Sequence, residues 1–154
     1  MPKGIRLAAD FSMGKILLLE DDSHYREIIE RVLSSIYPWP IKSVATEMQA
    51  REELSKEDFD LVLLDLYIDG MRCWETLRRV VGHPGNPIAI VLSCEDTRMN
   101  ADIAVSLGAY AFLSKPINFV RLKMTIDSAL RTGKRDASIK AETPEEGPPP
   151  IGVS

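Results

Sequence analysis

The chain has 154 residues, a length typical of one domain, and its 45% apolar and 27% charged residues exclude wholesale disorder. Nineteen basic and 23 acidic residues give a net charge of −4, which argues against a general surface for nucleic acids or anionic membranes. Cys73 and Cys94 are too few for a disulfide framework and no apolar run is long enough to insert into a membrane, so we expect a soluble cytoplasmic protein.

The two ends of the chain differ from its middle. Residues 1–13 lack sustained periodicity, and we interpret them as a flexible N-terminal extension. Residues 132–154 hold four of the ten prolines and almost no large apolar side chains, so they cannot bury enough surface to offset the entropy of ordering. The sequence therefore predicts one folded unit, residues 14–131, and a disordered tail at 132–154.

Five apolar segments of the folded unit are candidate strands. Ile16–Leu19, Leu61–Leu64 and Ile88–Leu92 are continuous apolar runs, which is typical of strands buried on both faces of a parallel sheet. Ile41–Ala45 and Ala109–Leu113 are weaker candidates.

Helical patterns lie between these strands. Apolar residues from Tyr25 to Ile36 recur at the spacing of one helix face, with Ser23 as a plausible cap and Pro38 after the helix end. The other helix candidates are Glu47–Lys56, Met71–Val81, Thr97–Leu107 and Asn118–Leu130.

The alternation of strands and helices predicts parallel strands joined by right-handed crossovers, in an open sheet with helices on both faces. The functional site of such a fold lies at the carboxyl ends of the strands. Chemically active side chains follow four of the predicted strands, at Glu20, Asp21 and Asp22, at Asp65, at Ser93 and at Lys115.

Several carboxylates in one place repel one another, so they ionise together only if a cation joins them. Mg²⁺ is the hard, oxygen-preferring candidate, and the sequence thus predicts a magnesium site. In the competing interpretation, the acidic residues at 20–22 merely cap the next helix; this fits Asp22 but not Asp65, which follows four apolar residues of another strand.

The lysine and the serine have ordinary and functional interpretations. Lys115 could be a common loop lysine, or its ammonium could pair with Asp65 at rest and with a phosphoryl oxygen after a reaction. Ser93 is a common loop residue too, but its hydroxyl also suits one hydrogen bond to a phosphoryl oxygen.

Four segments in order carry a resemblance to a known family: KILLLEDD at 15–22, FDLVLLDL at 59–66, IVLS at 90–93 and GAYAFLSKP at 108–116. The sequence resembles the receiver domain of two-component response regulators, of the stand-alone CheY-like type. The resemblance implies a three-layer, doubly wound fold with five helices and a five-stranded parallel sheet of strand order 2-1-3-4-5.

The resemblance also implies roles for individual residues. Asp65 matches the aspartate that accepts a phosphoryl group, and Lys115 matches the lysine that contacts that group. Asp21 and Asp65 match direct Mg²⁺ ligands, the backbone carbonyl of Tyr67 a further ligand, and Glu20 the acid that holds a metal-bound water.

Two more positions match the family's conformational switch. Ser93 matches the hydroxyl that responds to phosphorylation, and Phe112 matches the aromatic side chain whose rotamer follows it.

The loop after Asp65 departs from the family pattern. Proline is usual where Asp69 stands, and Asp-Gly is usual where Arg72 and Cys73 stand. Asp69-Gly70 is still a competent turn, so we expect the loop to form, although Tyr67 is bulky beside the path of an attacking water. We expect an unusual but competent receiver.

The resulting hypothesis is a signalling protein rather than a turnover enzyme. It takes a phosphoryl group onto Asp65 from a histidine kinase or phosphotransfer protein, hydrolyses it slowly, and signals by contact with a downstream protein rather than with nucleic acid. The alternative is a receiver-like interaction scaffold that works without phosphorylation. A nucleotide-binding enzyme is unsupported, because no glycine-rich phosphate loop follows the first strand.

Overall fold

Residues 14–95 and 97–132, which the computed structural model describes, contain one five-stranded sheet, a two-stranded hairpin and five helices. The strands are β1 (Ile16–Leu19), β2 (Ile41–Val44), β3 (Leu61–Asp65), β4 (Tyr67–Ile68), β5 (Met71–Arg72), β6 (Ile88–Ser93) and β7 (Ala111–Ser114). The helices are α1 (Ser23–Ile36), α2 (Glu47–Lys56), α3 (Trp74–Val81), α4 (Arg98–Ser106) and α5 (Phe119–Thr132).

The sheet is parallel, with the spatial order β2-β1-β3-β6-β7. Since β6 and β7 are the fourth and fifth strands of this sheet, the predicted α/β fold and the strand order 2-1-3-4-5 are confirmed. Between β3 and β6 in the chain, β4 and β5 form a separate two-stranded antiparallel sheet.

The sheet is covered on both faces. Ile16 and Leu18 belong to a core cluster with residues of α1 and α5, whereas Leu17 and Leu19 belong to a second cluster with residues of α2, α3 and α4. All four side chains are fully buried. Alternate residues of β1 thus point to opposite faces, but both faces are apolar, and this is why the strand reads as a continuous apolar run.

The strand register brings the chemically active residues to one edge. Leu19 is paired with Leu64, so the next residues along these strands, Glu20 and Asp65, follow neighbouring positions in the sheet. Ser93 is paired with Ser114 at the ends of β6 and β7, and this places Lys115 beside the end of β6.

Helix boundaries agree with the predictions for α2 and differ at α1. The carboxylate of Asp22 accepts hydrogen bonds from the backbone N–H groups of His24 and Tyr25, so Asp22 is the N-cap. The prediction of Ser23 as the cap was wrong, because the residue before it already satisfies the free N–H groups of the first turn. At α4 the predicted ends, Thr97 and Leu107, are the two cap residues.

The predicted helix at Met71–Val81 begins three residues late, at Trp74. Met71 and Arg72 instead form β5, which pairs antiparallel with β4 around Asp69 and Gly70. Both turn residues have positive φ, 57° and 75°, the backbone that two-residue Asp-Gly hairpins adopt. The first residues of the predicted helix, Met71 and Arg72, therefore belong to the hairpin instead.

The bounds of β1 are as predicted, and the other predicted strands and α5 differ by one or two residues at one or both ends, as at β7, which was predicted at Ala109–Leu113. Thr132, which we assigned to the tail, is the last residue of α5. The predicted extension at 1–13 and the rest of the predicted tail lie outside the described residues. Among the helices of the described part, none is long and apolar enough to cross a membrane.

Candidate functional site

Lys115 lies between two carboxylates at the carboxyl edge of the sheet. Its Nζ is 2.7 Å from Oε1 of Glu20 and 3.2 Å from Oδ2 of Asp65. The three side chains are nearly inaccessible to solvent, with exposed fractions of 9%, 1% and 7% for lysine, glutamate and aspartate. The backbone N–H of Lys115 donates to the carbonyl of Ser93, so β6 fixes the point from which the lysine projects.

Burial of these charges governs their protonation. Desolvation and repulsion from Glu20 raise the pKa of Asp65 to about 7, and the attraction of Lys115 only partly opposes this. Burial disfavours the ammonium, but its hydrogen bond to Glu20 and the field of Asp65 outweigh burial and raise the pKa of Lys115. At neutral pH, Lys115 thus remains a cation, whereas Asp65 is present as both the protonated acid and the carboxylate.

A third carboxylate, Asp21, completes an acidic cluster. One oxygen from each of Glu20, Asp21 and Asp65 lies within 4.8 Å of the other two. Glu20 and Asp65 are buried and Asp21 is exposed, so the cluster opens to solvent on one side. Carboxylate oxygens at this spacing, with an open side for water, fit a hard divalent cation such as Mg²⁺.

The hairpin closes one side of this cluster. Oδ2 of Asp21 accepts from the backbone N–H of Asp69 (3.0 Å), and Oδ1 of Asp65 accepts from the backbone N–H of Tyr67 (3.3 Å). The N–H of Cys73 donates to the carbonyl of Leu66 across the base of the hairpin. The departures in this loop leave an ordered connection that contacts two of the three acids.

The side chain of Tyr67 points toward the loop after β6. Its hydroxyl donates to Oε1 of Glu95, which also accepts from Arg72 (3.2 Å) and from the buried Asn100 (3.0 Å). The guanidinium of Arg72 lies 5.3 Å from the centre of the Tyr67 ring. These contacts join the hairpin to the loop that follows Ser93.

Ser93 and Phe112 are both buried, and Phe112 is paired with Val91, two residues before Ser93 on β6. The Ser93 hydroxyl accepts from the N–H of Glu95 (2.9 Å) and donates to its carbonyl (3.3 Å). Phe112 belongs to the core cluster that faces α2, α3 and α4. Ser93 lies at the carboxyl edge of the sheet, but its hydrogen bonds within the described residues go to its own loop.

Three residues with contacts at this edge were absent from the predicted site. Arg26 donates to the backbone carbonyl of Glu20 (2.7 Å), and the ring of Tyr25 lies 4.4 Å from Nζ of Lys115. The third residue is Glu95. The helical pattern identified Tyr25 as part of a buried face but contained no signal for its contact with a residue so distant in the sequence.

The model of the response regulator receiver domain family matches residues 16–127. The chain belongs to the response regulator receiver domain family. This receiver domain is 30% identical over 129 residues to the response regulator protein PilR of Pseudomonas aeruginosa, a match that covers 82% of the chain and 28% of PilR. It is also 30% identical to the transcriptional regulatory protein ZraR of Klebsiella oxytoca, over 84% of the chain and 29% of ZraR. The chain thus spans less than a third of the length of these two relatives.

Solved receiver structures share the fold. The signal receiver domain of a DNA-binding response regulator from Colwellia psychrerythraea superposes with a TM-score of 0.71 at 30% identity, covering 76% of this chain and 98% of that one. A CheY-like receiver domain from Methanospirillum hungatei gives a TM-score of 0.72 at 22% identity, covering 78% and 95%. The resemblance to receiver domains that the four sequence segments carry is therefore confirmed.

Proposed function

We propose that this receiver domain accepts a phosphoryl group on Asp65 from a phosphohistidine of a kinase or phosphotransfer protein. The observation that carries the proposal is the setting of Asp65 at the sheet edge. One carboxylate oxygen faces the Lys115 ammonium and the other the Tyr67 N–H, with Glu20 and Asp21 beside it. A carboxylate held in this way is a positioned nucleophile with a cation ready for anionic oxygens.

In the proposed reaction, an Asp65 oxygen attacks phosphorus. The new O–P bond forms as the N–P bond of the donor histidine breaks, and the bonding electrons leave on the imidazole nitrogen, which then takes a proton. Lys115 moves from balancing two carboxylates to balancing the phosphoryl oxygens. Slow hydrolysis returns the Asp65 carboxylate and inorganic phosphate when water attacks the same phosphorus.

The donor set suits Mg²⁺, with Asp21, Asp65 and the Tyr67 carbonyl as proposed direct ligands and Glu20 as the holder of a bound water. When bound, the ion supplies positive charge that favours the ionised Asp65 and stabilises anionic oxygens. Because the pKa of Asp65 is raised by burial and by Glu20, a cation at this cluster would restore the nucleophilic carboxylate at neutral pH.

We further propose that Ser93 and Phe112 transmit the modification, and that a downstream protein binds the surface of α4, β7 and α5. Support for this surface comes from large, exposed apolar side chains on α4 and α5. Met99 on α4 is 68% exposed, and Val120 and Met124 on α5 are 70% and 65% exposed. The proposed site of action is the cytoplasm, where kinase and partner would meet a receiver unit of residues 14–131.

Intact mass measured after incubation with Mg²⁺ and acetyl phosphate tests the proposal. We expect a gain of one phosphoryl group that hydroxylamine removes, that a chelator prevents, and that Asp65→Asn abolishes. Asp102→Asn, an exposed change on α4, is the matched control and should be modified like the wild type. Modification that persists in Asp65→Asn would refute the assignment, and no modification of the wild type would favour the scaffold alternative.

A further inference from the structure

Tyr25 occupies a fixed place in the first turn of α1. Asp22 accepts hydrogen bonds from the N–H groups of His24 (3.0 Å) and Tyr25 (3.1 Å), so the helix cap holds the backbone from which the tyrosine projects. The side chain is half-buried and packs against the core cluster that includes Ile117. This packing by itself would make Tyr25 an ordinary structural residue.

The tyrosine contacts the lysine segment at two points. Its ring centre lies 4.4 Å from Nζ of Lys115, and its hydroxyl oxygen accepts a hydrogen bond from the N–H of Ile117 at 2.9 Å. One side chain therefore contacts the charged tip of Lys115 and the backbone two residues later. The face of an aromatic ring attracts a cation, most strongly where water is excluded, as it is around this lysine.

The ring differs from the other partners of the ammonium. Glu20 and Asp65 hold Nζ by charge, and the charge on Asp65 changes when that residue is protonated, binds a cation or carries a phosphoryl group. The tyrosine ring keeps the same attraction throughout. A lysine side chain is flexible, so a partner that does not change during the reaction limits where its ammonium can go.

We propose that Tyr25 is a positioning residue for Lys115. Its ring holds the ammonium at the carboxylate edge, and its hydroxyl fixes the backbone of the segment that carries the lysine. The effect on phosphorylation rests on the proposed function; the effect on the position of Lys115 does not.

Two substitutions separate the ring from the hydroxyl. Tyr25→Phe keeps the ring and removes the hydrogen bond to Ile117, whereas Tyr25→Leu removes both. We expect the initial rate of modification by acetyl phosphate and Mg²⁺ to fall about tenfold in Tyr25→Leu and only about two- to threefold in Tyr25→Phe. Rates are measured well below the melting temperature of each variant.

Tyr110 provides the matched controls. It is buried, its hydroxyl bonds with Ser128 at 3.0 Å, and it precedes β7 at the opposite edge of the sheet. Tyr110→Phe and Tyr110→Leu should lower stability without changing the rate. If Tyr25→Leu is modified as fast as these controls, Tyr25 is only a packing residue and the proposal is wrong.

A double-variant cycle tests whether Tyr25 acts through the lysine. In a Lys115→Met background, we expect Tyr25→Leu to slow the residual reaction by less than about twofold, because the group that it positions is already gone. A further tenfold loss in that background would contradict the proposal.

The proton resonances of the Lys115 Cε group give a readout that needs no phosphorylation. Protons above an aromatic face shift upfield, so Tyr25→Leu should move these resonances downfield while Tyr25→Phe leaves them near their wild-type position. If the wild type takes no phosphoryl group, the proposed function fails and this measurement still decides the inference. Unshifted Lys115 resonances in wild type and Tyr25→Leu alike would overturn it.

Discussion

Asp65→Asn should stabilise the metal-free protein, although it removes the proposed acceptor. Asp65 is buried and lies beside the fully buried Glu20, so its carboxylate is held among unfavourable neighbours with Lys115 as the opposing charge. Asparagine has a similar shape and no charge. Lys115 keeps its shorter contact to Glu20, at 2.7 Å, so the substitution leaves the ammonium paired.

The size and the sign of the effect follow from the pKa of Asp65. It rises from 3.8 to about 7 on folding, so the folded chain binds more protons than the unfolded chain between these values. Stability therefore falls as pH rises through that window and is constant above it. With about 1.36 kcal/mol for each pH unit, the raised pKa of Asp65 costs on the order of 4 kcal/mol at pH 8, where the folded residue is ionised, and about 2 kcal/mol at pH 5, where the folded residue is protonated.

Urea denaturation in a chelating buffer at pH 5, 6, 7 and 8 measures this effect. We expect the advantage of Asp65→Asn over the wild type to grow by about 2–3 kcal/mol between pH 5 and pH 8. The change with pH is the informative quantity, because altered hydrogen bonds to the introduced amide add a constant. Asp102→Asn controls for loss of an exposed charge. An advantage that stays flat or shrinks as pH rises would refute this account of the acidic cluster.

Three further changes test the site, the core and the hairpin by the same denaturation assay. Lys115→Met should lower the free energy of unfolding by about 3 kcal/mol at pH 8 and by less at pH 5, where Asp65 is protonated. The same substitution should reduce the change in amide chemical shifts around Phe112 when beryllofluoride is added, and an unchanged response would contradict the role of the lysine. Leu63→Ala should lose about 3–5 kcal/mol, because the leucine is fully buried; a loss below about 1 kcal/mol would contradict the packing described. Gly70→Ala should lower the free energy of unfolding by only about 1 kcal/mol, because φ is +75° but an added Cβ would have no atom within 4 Å. A neutral change would argue against the positive φ.

The sheet and the acidic cluster could be predicted because they depend on local sequence and simple topology. Continuous apolar runs such as Leu61–Leu64 identify strands buried on two faces, and parallel strands bring residues such as Asp65 and Lys115 to one edge. The hairpin could not be predicted, because two-residue strands carry almost no periodic signal and Met71–Val81 reads as one helix. Only the Asp69-Gly70 turn hinted at it.

The contacts around the lysine could not be predicted either, for a different reason. Tyr25 and Lys115 are far apart in the sequence. The sequence correctly placed Tyr25 in the first helix and Lys115 directly after the fifth strand of the sheet. Their contact depends on how α1 packs against the end of β7, which no local pattern encodes. A tyrosine on an apolar helix face has the same signature whether it fills the core or touches a functional group.

Residues that stabilise the fold and a residue of the candidate site lie in the same strand, β3. The buried part of β3 packs leucine and valine on both faces, and each such side chain contributes roughly 1.5–3 kcal/mol. Its last residue, Asp65, is buried as well, but it carries a charge that burial disfavours. An unfavourable group of about 4 kcal/mol at one strand end is compatible with folding only because the neighbouring positions are so well buried. A substitution that weakens the core should therefore unfold the largest fraction of the protein at high pH without metal, where Asp65 is ionised and Lys115 opposes the repulsion between the acids.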